Sequence, residues 1–236
     1  MKNIRDYIAS KHRGIENPGE VHCLNILLID VSESMVPLQE DVRAGISRFF
    51  KMLREDPAAS GCTEVCVIVY ADEARVLVPF GPVYGFEMPR LEFGGMTAGY
   101  EAKRLALEVN KERKEELKAN HTAYRRTNIF DITDGRPNDP ENGVISLLRQ
   151  SQTEKHCNYI PIYIREEPAN DMEREEIDRT EEQLRSMVVG DHPVLKSGRD
   201  NFEGIMNFLH VSISDMAQSS PGTKVTLNPQ NFQLEV

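Results

Sequence analysis

Asp30, Ser32 and Ser34 stand two residues apart in the run Asn25-Ile26-Leu27-Leu28-Ile29-Asp30-Val31-Ser32-Glu33-Ser34-Met35, where an apolar stretch ends. In extended backbone alternate side chains point the same way, so these three small oxygen donors can converge on one point. One carboxylate and two hydroxyls form a hard, weakly charged donor set. It suits Mg²⁺, with Mn²⁺ or Ca²⁺ as alternatives, far better than Zn²⁺ or copper. Two further segments offer matching chemistry. Gly94-Gly95-Met96-Thr97 is a glycine-rich loop that can carry the Thr97 hydroxyl close to a ligand. Phe130-Asp131-Ile132-Thr133-Asp134-Gly135 places a second carboxylate, Asp134, at a strand end, with Gly135 permitting a sharp turn. The plainer reading is that Ser32 and Ser34 cap a helix and Asp134 ends a turn.

The elements that must position these residues follow from periodicity. Leu24 to Ile29 is apolar except for Asn25, as in a strand covered on both faces. Leu38, Val42, Ile46, Phe49, Phe50 and Leu53 recur at helical spacing from about Pro37, and Asp56-Pro57 with Ser60-Gly61 break that helix. Val65 to Tyr70 reads as a second strand and Val76 to Phe80 as its hairpin partner, with Pro79 marking a sheet edge. A helix carries Ala102, Leu105, Ala106 and Val109 and extends to about Lys118. Thr127 to Thr133 is a strand, Glu141 to Gln150 a short helix, and Tyr159 to Ile164 a strand interrupted by Pro161. Residues 166–187 are acidic and fit a surface helix or a loop, and a short strand is expected near Val194. The final helix bears the stripe Phe202, Ile205, Met206, Leu209, Ile213 and Met216 and stops at Ser219-Ser220-Pro221-Gly222. Strands alternating with amphipathic helices predict an α/β fold, a Rossmann-like doubly wound, mostly parallel sheet with one antiparallel edge strand. In such sheets ligands bind beyond the carboxyl ends of strands, where Asp30 and Asp134 both fall. The expected divisions are a polar leader over residues 1–20, one domain over 21–222 and a polar tail over 223–236.

Composition narrows the function. The 236 residues carry a formal charge of −10, with 39% apolar and 28% charged residues. That balance fits one folded core and argues against nucleic acid or an anionic membrane as the partner. The most basic stretch, Lys111 to Arg126, is interleaved with Glu112, Glu115 and Glu116 and reads as a solvated helix face. Cys23, Cys62, Cys66 and Cys157 show no zinc spacing, and buried free thiols are expected. With no apolar run long enough for a bilayer and no signal-like leader, the expected location is the cytoplasm.

The three loops together resemble the von Willebrand factor A (vWA) domain and its metal-ion-dependent adhesion site (MIDAS). The stretch Asn110 to Asn120, the segment Ile129 to Asp139, and the run from Pro193-Val194-Leu195-Lys196 through Asn201-Phe202 to Gly222 are similar to the TerY-like bacterial branch, associated with tellurite resistance and stress. The resemblance covers about Leu24 to Gly222. It implies metal held by Asp30, Ser32, Ser34, Thr97 and Asp134, directly or through water, with a partner's Asp or Glu completing the shell. It also implies a protein-protein adaptor, with a Ser/Thr kinase and a metal-dependent protein phosphatase as partners. Glu33 departs from the family's usual glycine; it either points to solvent or stands against, or in place of, an acidic partner. Asp131 falls where the family strand is apolar, so it needs a partner, water or an upward titration. Asp139 is read as a turn or N-cap for the following helix, with a supporting place near the metal as the alternative.

Enzyme readings find less support. A Mg²⁺-dependent phosphatase-like hydrolase would need a nucleophile or general acid beside the metal, and Ser32 stands where a second Asp would be required. No phosphate-binding Gly-rich loop with Lys is present, and none of the six histidines forms a triad with a Ser and an Asp in the sequence pattern. The expectation is a binding module rather than an enzyme. A scaffold with an unused metal site is the third reading, and Glu33 is the residue that favours it.

Overall fold

The computed structural model describes residues 14–84, 86, 89–190 and 194–219. Six strands form one sheet in the order β3-β2-β1-β4-β5-β6: β1 (Cys23–Asp30), β2 (Thr63–Tyr70), β3 (Ala74–Val78), β4 (Thr127–Thr133), β5 (Cys157–Ile164) and β6 (Leu195–Ser197). All pairings are parallel except β2 with β3, so the antiparallel strand lies at the edge as predicted. Five helices cover the sheet: α1 (Gln39–Glu55), α2 (Gly99–Ala119), α3 (Val144–Thr153), α4 (Asp171–Ser186) and α5 (Phe202–Gln218).

Strand alternation divides the apolar residues between two cores. Leu27, Ile29, Val67, Val69, Phe130 and Ile132 face α1 and α5, while Leu24, Ile26, Leu28, Cys66, Ile68 and Ile129 face α2 and α3. The central strands are apolar on both faces because both faces are covered. Gly45 lets α1 approach α5 closely, since a Cβ there would lie 2.6 Å from the Phe202 ring. Both predicted stripes, Val42 to Leu53 and Phe202 to Met216, are the buried sides of these two helices.

Several boundaries move for physical reasons. The hairpin partner is Ala74–Val78, two residues earlier than expected, because the turn closes at Ala71 N–H to Glu73 O and an irregular register follows at Val67/Ile68. The short helix begins at Val144 instead of Glu141, because Asn142 (φ 45°) and Gly143 (φ 79°) are left-handed and cannot continue a helix. Glu141 instead accepts hydrogen bonds from the Gly143 and Ile145 amides (3.2 and 2.7 Å). Pro161 is tolerated inside β5 because β6 pairs only with Ile162 to Ile164. Of the acidic segment, residues 171–186 are helical: Asn170 caps α4 by accepting from Glu173 N (2.9 Å), and Glu173 reaches back to Ala169 N (2.8 Å).

The stretch Lys111 to Arg126 is not a solvated face throughout. Arg113 is fully buried and donates to Glu64 through Nε (2.7 Å) and Nη2 (2.9 Å) and to Glu116 through Nη1 (2.6 Å). Lys114 lies 5.2 Å above the Tyr124 ring and donates to the His156 carbonyl. Both side chains point from α2 toward the amino ends of the strands, where Glu64, itself buried, needs a counter-charge. Cys23, Cys66 and Cys157 are buried and Cys62 half-buried, all as free thiols. Burial pushes all four above the ordinary thiol range, Cys23 to about 11. Within the predicted leader, Ile15 packs on the α2-side core and Asn17 donates to Gly61 O (3.0 Å). The tail 223–236 lies outside the described residues. No described helix is long and apolar enough to cross a membrane.

Candidate metal centre

β1 ends at Asp30, and Ser32 keeps extended backbone (φ −64°, ψ 176°), so Asp30 and Ser32 point the same way, as alternation requires. Ser34 arrives differently. It belongs to a 3₁₀ turn, Glu33–Leu38, that curls it back until its hydroxyl stands 3.3 Å from that of Ser32. Ser34 then donates to Asp134 Oδ1 (2.7 Å) across 100 residues of chain. Asp134 is there because β4 lies beside β1 in parallel register, with Ile29 opposite Ile132, and the chain leaves β4 just above Asp30.

Asp30 is fully buried. Its Oδ1 accepts the Ser32 amide (2.9 Å) and its Oδ2 the Thr133 hydroxyl (2.8 Å), which are neutral donors only. Burial pushes its carboxyl up to about 6, and the bonds from Ser32 and Thr133 offset this only in part. Burial also raises Asp134, against Ser34 and Arg199, which act to lower it. The other oxygen of Asp134, Oδ2, accepts from Arg199 Nη2 (3.1 Å), and Arg199 Nη1 lies 3.4 Å from Glu166.

Thr97 stands apart from this hydrogen-bonded four. Its loop docks on the same strand end, with Gly94 N–H donating to Val31 O (2.9 Å) and Glu33 N–H to Gly95 O (3.1 Å). Gly95 has φ +84°, and a Cβ there would lie 2.6 Å from the Asp72 carboxylate, which accepts the Met96 amide (2.8 Å). Thr97 itself is held by Asn138, whose Oδ1 accepts the Thr97 amide (2.9 Å) and whose N–H donates to Thr97 O (3.0 Å). Asp139 does not cap the helix that follows it. Its carboxylate receives the Tyr100 and Glu101 amides (3.0 and 2.8 Å) at the start of α2, so both residues brace the Thr97 loop. Glu33 is exposed, with a carboxylate oxygen 3.3 Å from where a Gly94 Cβ would stand. Asp131 finds partners instead of water: Lys103 Nζ (2.7 Å), Tyr70 OH (3.0 Å) and Tyr159 OH (2.5 Å).

The donor set fits a hard divalent cation. Among the described residues, three other carboxylates with buried side chains each meet a basic side chain: Asp131 meets Lys103, Glu64 meets Arg113, and Asp134 meets Arg199. Asp30 meets none among the described residues, and oxygen donors flank it. Among the described residues no three His, Cys, Asp or Glu side chains cluster, so a cation here would be held through hydroxyls as well as carboxylates. Two residues of this centre carried no signal on their own. Thr133 becomes visible once Asp30 and Asp134 are placed on neighbouring parallel strands. Arg199 follows a three-residue strand 65 positions beyond Asp134, and no local pattern marks it.

Comparison with known proteins bears on the fold. No family model matches the sequence, and no curated protein is similar to it. Among solved structures, the pilus adhesin SpaC from Lactobacillus rhamnosus GG is similar at a TM-score of 0.63 and 13% identity, over 87% of this chain and 31% of SpaC. Proximal thread matrix protein 1 from the mussel byssus is similar at 0.54 and 13%, over 83% of this chain and 48% of that protein. BatB from Bacteroides thetaiotaomicron gives 0.51 and 18%, over 84% of this chain and all of BatB. The chain thus spans about a third of SpaC and about half of the byssus protein. At these identities the likeness establishes the fold, which is the vWA-like one predicted.

Proposed function

We propose that this chain is a MIDAS-type protein-binding module. In it Asp30, Ser32, Ser34 and Asp134, with Thr97 from the adjoining loop, hold Mg²⁺, or Mn²⁺ or Ca²⁺ in its place. The observation that carries this reading is Asp30, a fully buried carboxylate with only neutral donors around it among the described residues. An isolated buried charge is costly, and a divalent ion in the oxygen-lined space beside it would remove that cost. A partner's Asp or Glu would complete the shell. The proposed mode of action is binding, and turnover is the alternative: Ser34 donates to Asp134 (2.7 Å), but Arg199 already engages that carboxylate.

The TerY-like resemblance supports a narrower role: an adaptor in a bacterial stress or defence phosphorylation system, with a Ser/Thr kinase and a metal-dependent protein phosphatase as partners. Nucleic acid and membranes are not proposed as partners, and the cytoplasm is the proposed location. Affinity capture with and without EDTA tests the reading. Partners should be retained with Mg²⁺, and lost with EDTA or in Asp30→Asn. Capture that ignores both changes would favour a scaffold with an unused site, a reading that the Arg199–Asp134 pair gives some support. Phosphatase turnover abolished by Asp30→Asn would favour the hydrolase instead.

A further inference from the structure

Four basic side chains lie along the β6 side of the site, and three of them pair with two carboxylates of α4. Arg136 pairs with Glu176 (2.6 Å), Lys196 with Glu181 (2.7 Å), and Arg165 lies 3.8 Å from Glu181. Arg199 turns the other way. Its Nη2 reaches the outer oxygen of Asp134, whose side chain is 1% exposed, while its remaining carboxylate neighbour, Glu166, is 70% exposed and 3.4 Å away. The guanidinium therefore faces a desolvated carboxylate on one side and a solvent-screened one on the other.

We propose that Arg199 is a resident counter-cation of Asp134 that holds the divalent-ion affinity of the centre down, so that the loaded centre calls for an anionic group from a partner. This rests on the metal-binding reading above. The charge count makes the argument. Asp30 and Asp134 together carry −2, which one divalent ion would balance. Counting the buried carboxylates and Arg199, with exposed Glu166 screened by solvent, an incoming ion meets −1, and the loaded centre is left at +1. The surplus weakens binding of the ion alone and strengthens binding of a carboxylate to the loaded centre, within the same few ångströms. The acidic face of α4 contributes by engaging Arg136, Arg165 and Lys196, so that of these four cations Arg199 is the one paired with Asp134. Asp134 can serve both groups, because Arg199 occupies Oδ2 while Oδ1 accepts from Ser34, whose hydroxyl stands 3.3 Å from that of Ser32.

The test is calorimetric titration of Mn²⁺ alone into the purified chain and three variants, each checked for folding by thermal melting. Arg199→Gln should bind Mn²⁺ at least fivefold more tightly than the unaltered chain. Arg199→Lys, which keeps the charge, should stay within about twofold of it. Glu166→Gln, at an exposed position, should bind about twofold more weakly because the field of Arg199 is less screened. Equal or weaker binding by Arg199→Gln overturns the inference and shows that Arg199 serves to position Asp134, while leaving the metal centre itself intact. Absence of Mn²⁺ binding in every chain overturns the metal reading and this inference with it. Binding by Arg199→Gln alone would support the inference in its strongest form.

Discussion

Asp30 and Asp131 lie on the same face of adjacent strands, both fully buried, and differ in what meets the charge. Asp131 is closed by an ammonium and two phenols, Lys103, Tyr70 and Tyr159. Burial, with the Asp131 charge beside them, pushes both tyrosines well above the ordinary phenol range, so they remain donors. Asp30 has an amide and a hydroxyl. One carboxylate is completed from within the fold and braces α2 against the sheet. The other is left short of positive charge where the chain opens to solvent through Ser34. Burial alone therefore does not single out Asp30; burial without a cation does.

The largest effect should come from breaking the closed member of the pair. Lys103→Met leaves Asp131 buried without its counter-charge and should cost about 3–5 kcal/mol in urea unfolding. A loss below about 1 kcal/mol would mean that the two tyrosines suffice. The open member should respond in the opposite sense. Asp30→Asn removes a carboxylate that folding disfavours, so the metal-free chain should be unchanged or more stable by up to about 2 kcal/mol, again by urea unfolding. A loss as large as that of Lys103→Met would make Asp30 structural.

Lys114 is the cationic counterpart of Asp30, at the other end of the sheet. It is buried, donates to the His156 carbonyl, and has no carboxylate partner among the described residues. Burial lowers its pKa from 10.5 to about 8. Between about pH 8 and 10.5 the unfolded chain binds the extra proton, so this group's contribution to stability rises as pH rises through that window. Relative to Lys114→Met, the unaltered chain should gain on the order of 1 kcal/mol between pH 8 and 10. A flat difference would place Lys114 in water. The smallest effect is expected at Asp139→Ala, which removes the cap on α2 and should cost about 0.5–1 kcal/mol in thermal unfolding.

The sequence carried the fold well because its signal is periodic. The nearly unbroken apolar run Leu24 to Ile29 points to a strand covered on both faces and the stripe of Phe202 to Met216 to one helix face, and the structure buries all of them. That Asp30, Ser32, Ser34 and Asp134 come together in space was legible because strand ends in parallel sheets lie together. What escaped was long-range charge pairing. Arg113 with Glu64, Lys103 with Asp131 and Arg199 with Asp134 join residues 28 to 65 positions apart, and nothing local distinguishes a buried arginine from a solvated one. Asp139 was read as a cap and is one, but for a helix that begins 40 residues before it. The glycine spacing could suggest where the Thr97 loop bends, but not that Asn138 would hold it.

The most direct measurement is a Mg²⁺ titration by calorimetry on the unaltered chain, Asp30→Asn and Ser34→Ala. One saturable site in the unaltered chain, weakened in Ser34→Ala and absent in Asp30→Asn, is the expected result. No saturable binding in the unaltered chain, or binding that Asp30→Asn leaves intact, would contradict the metal centre.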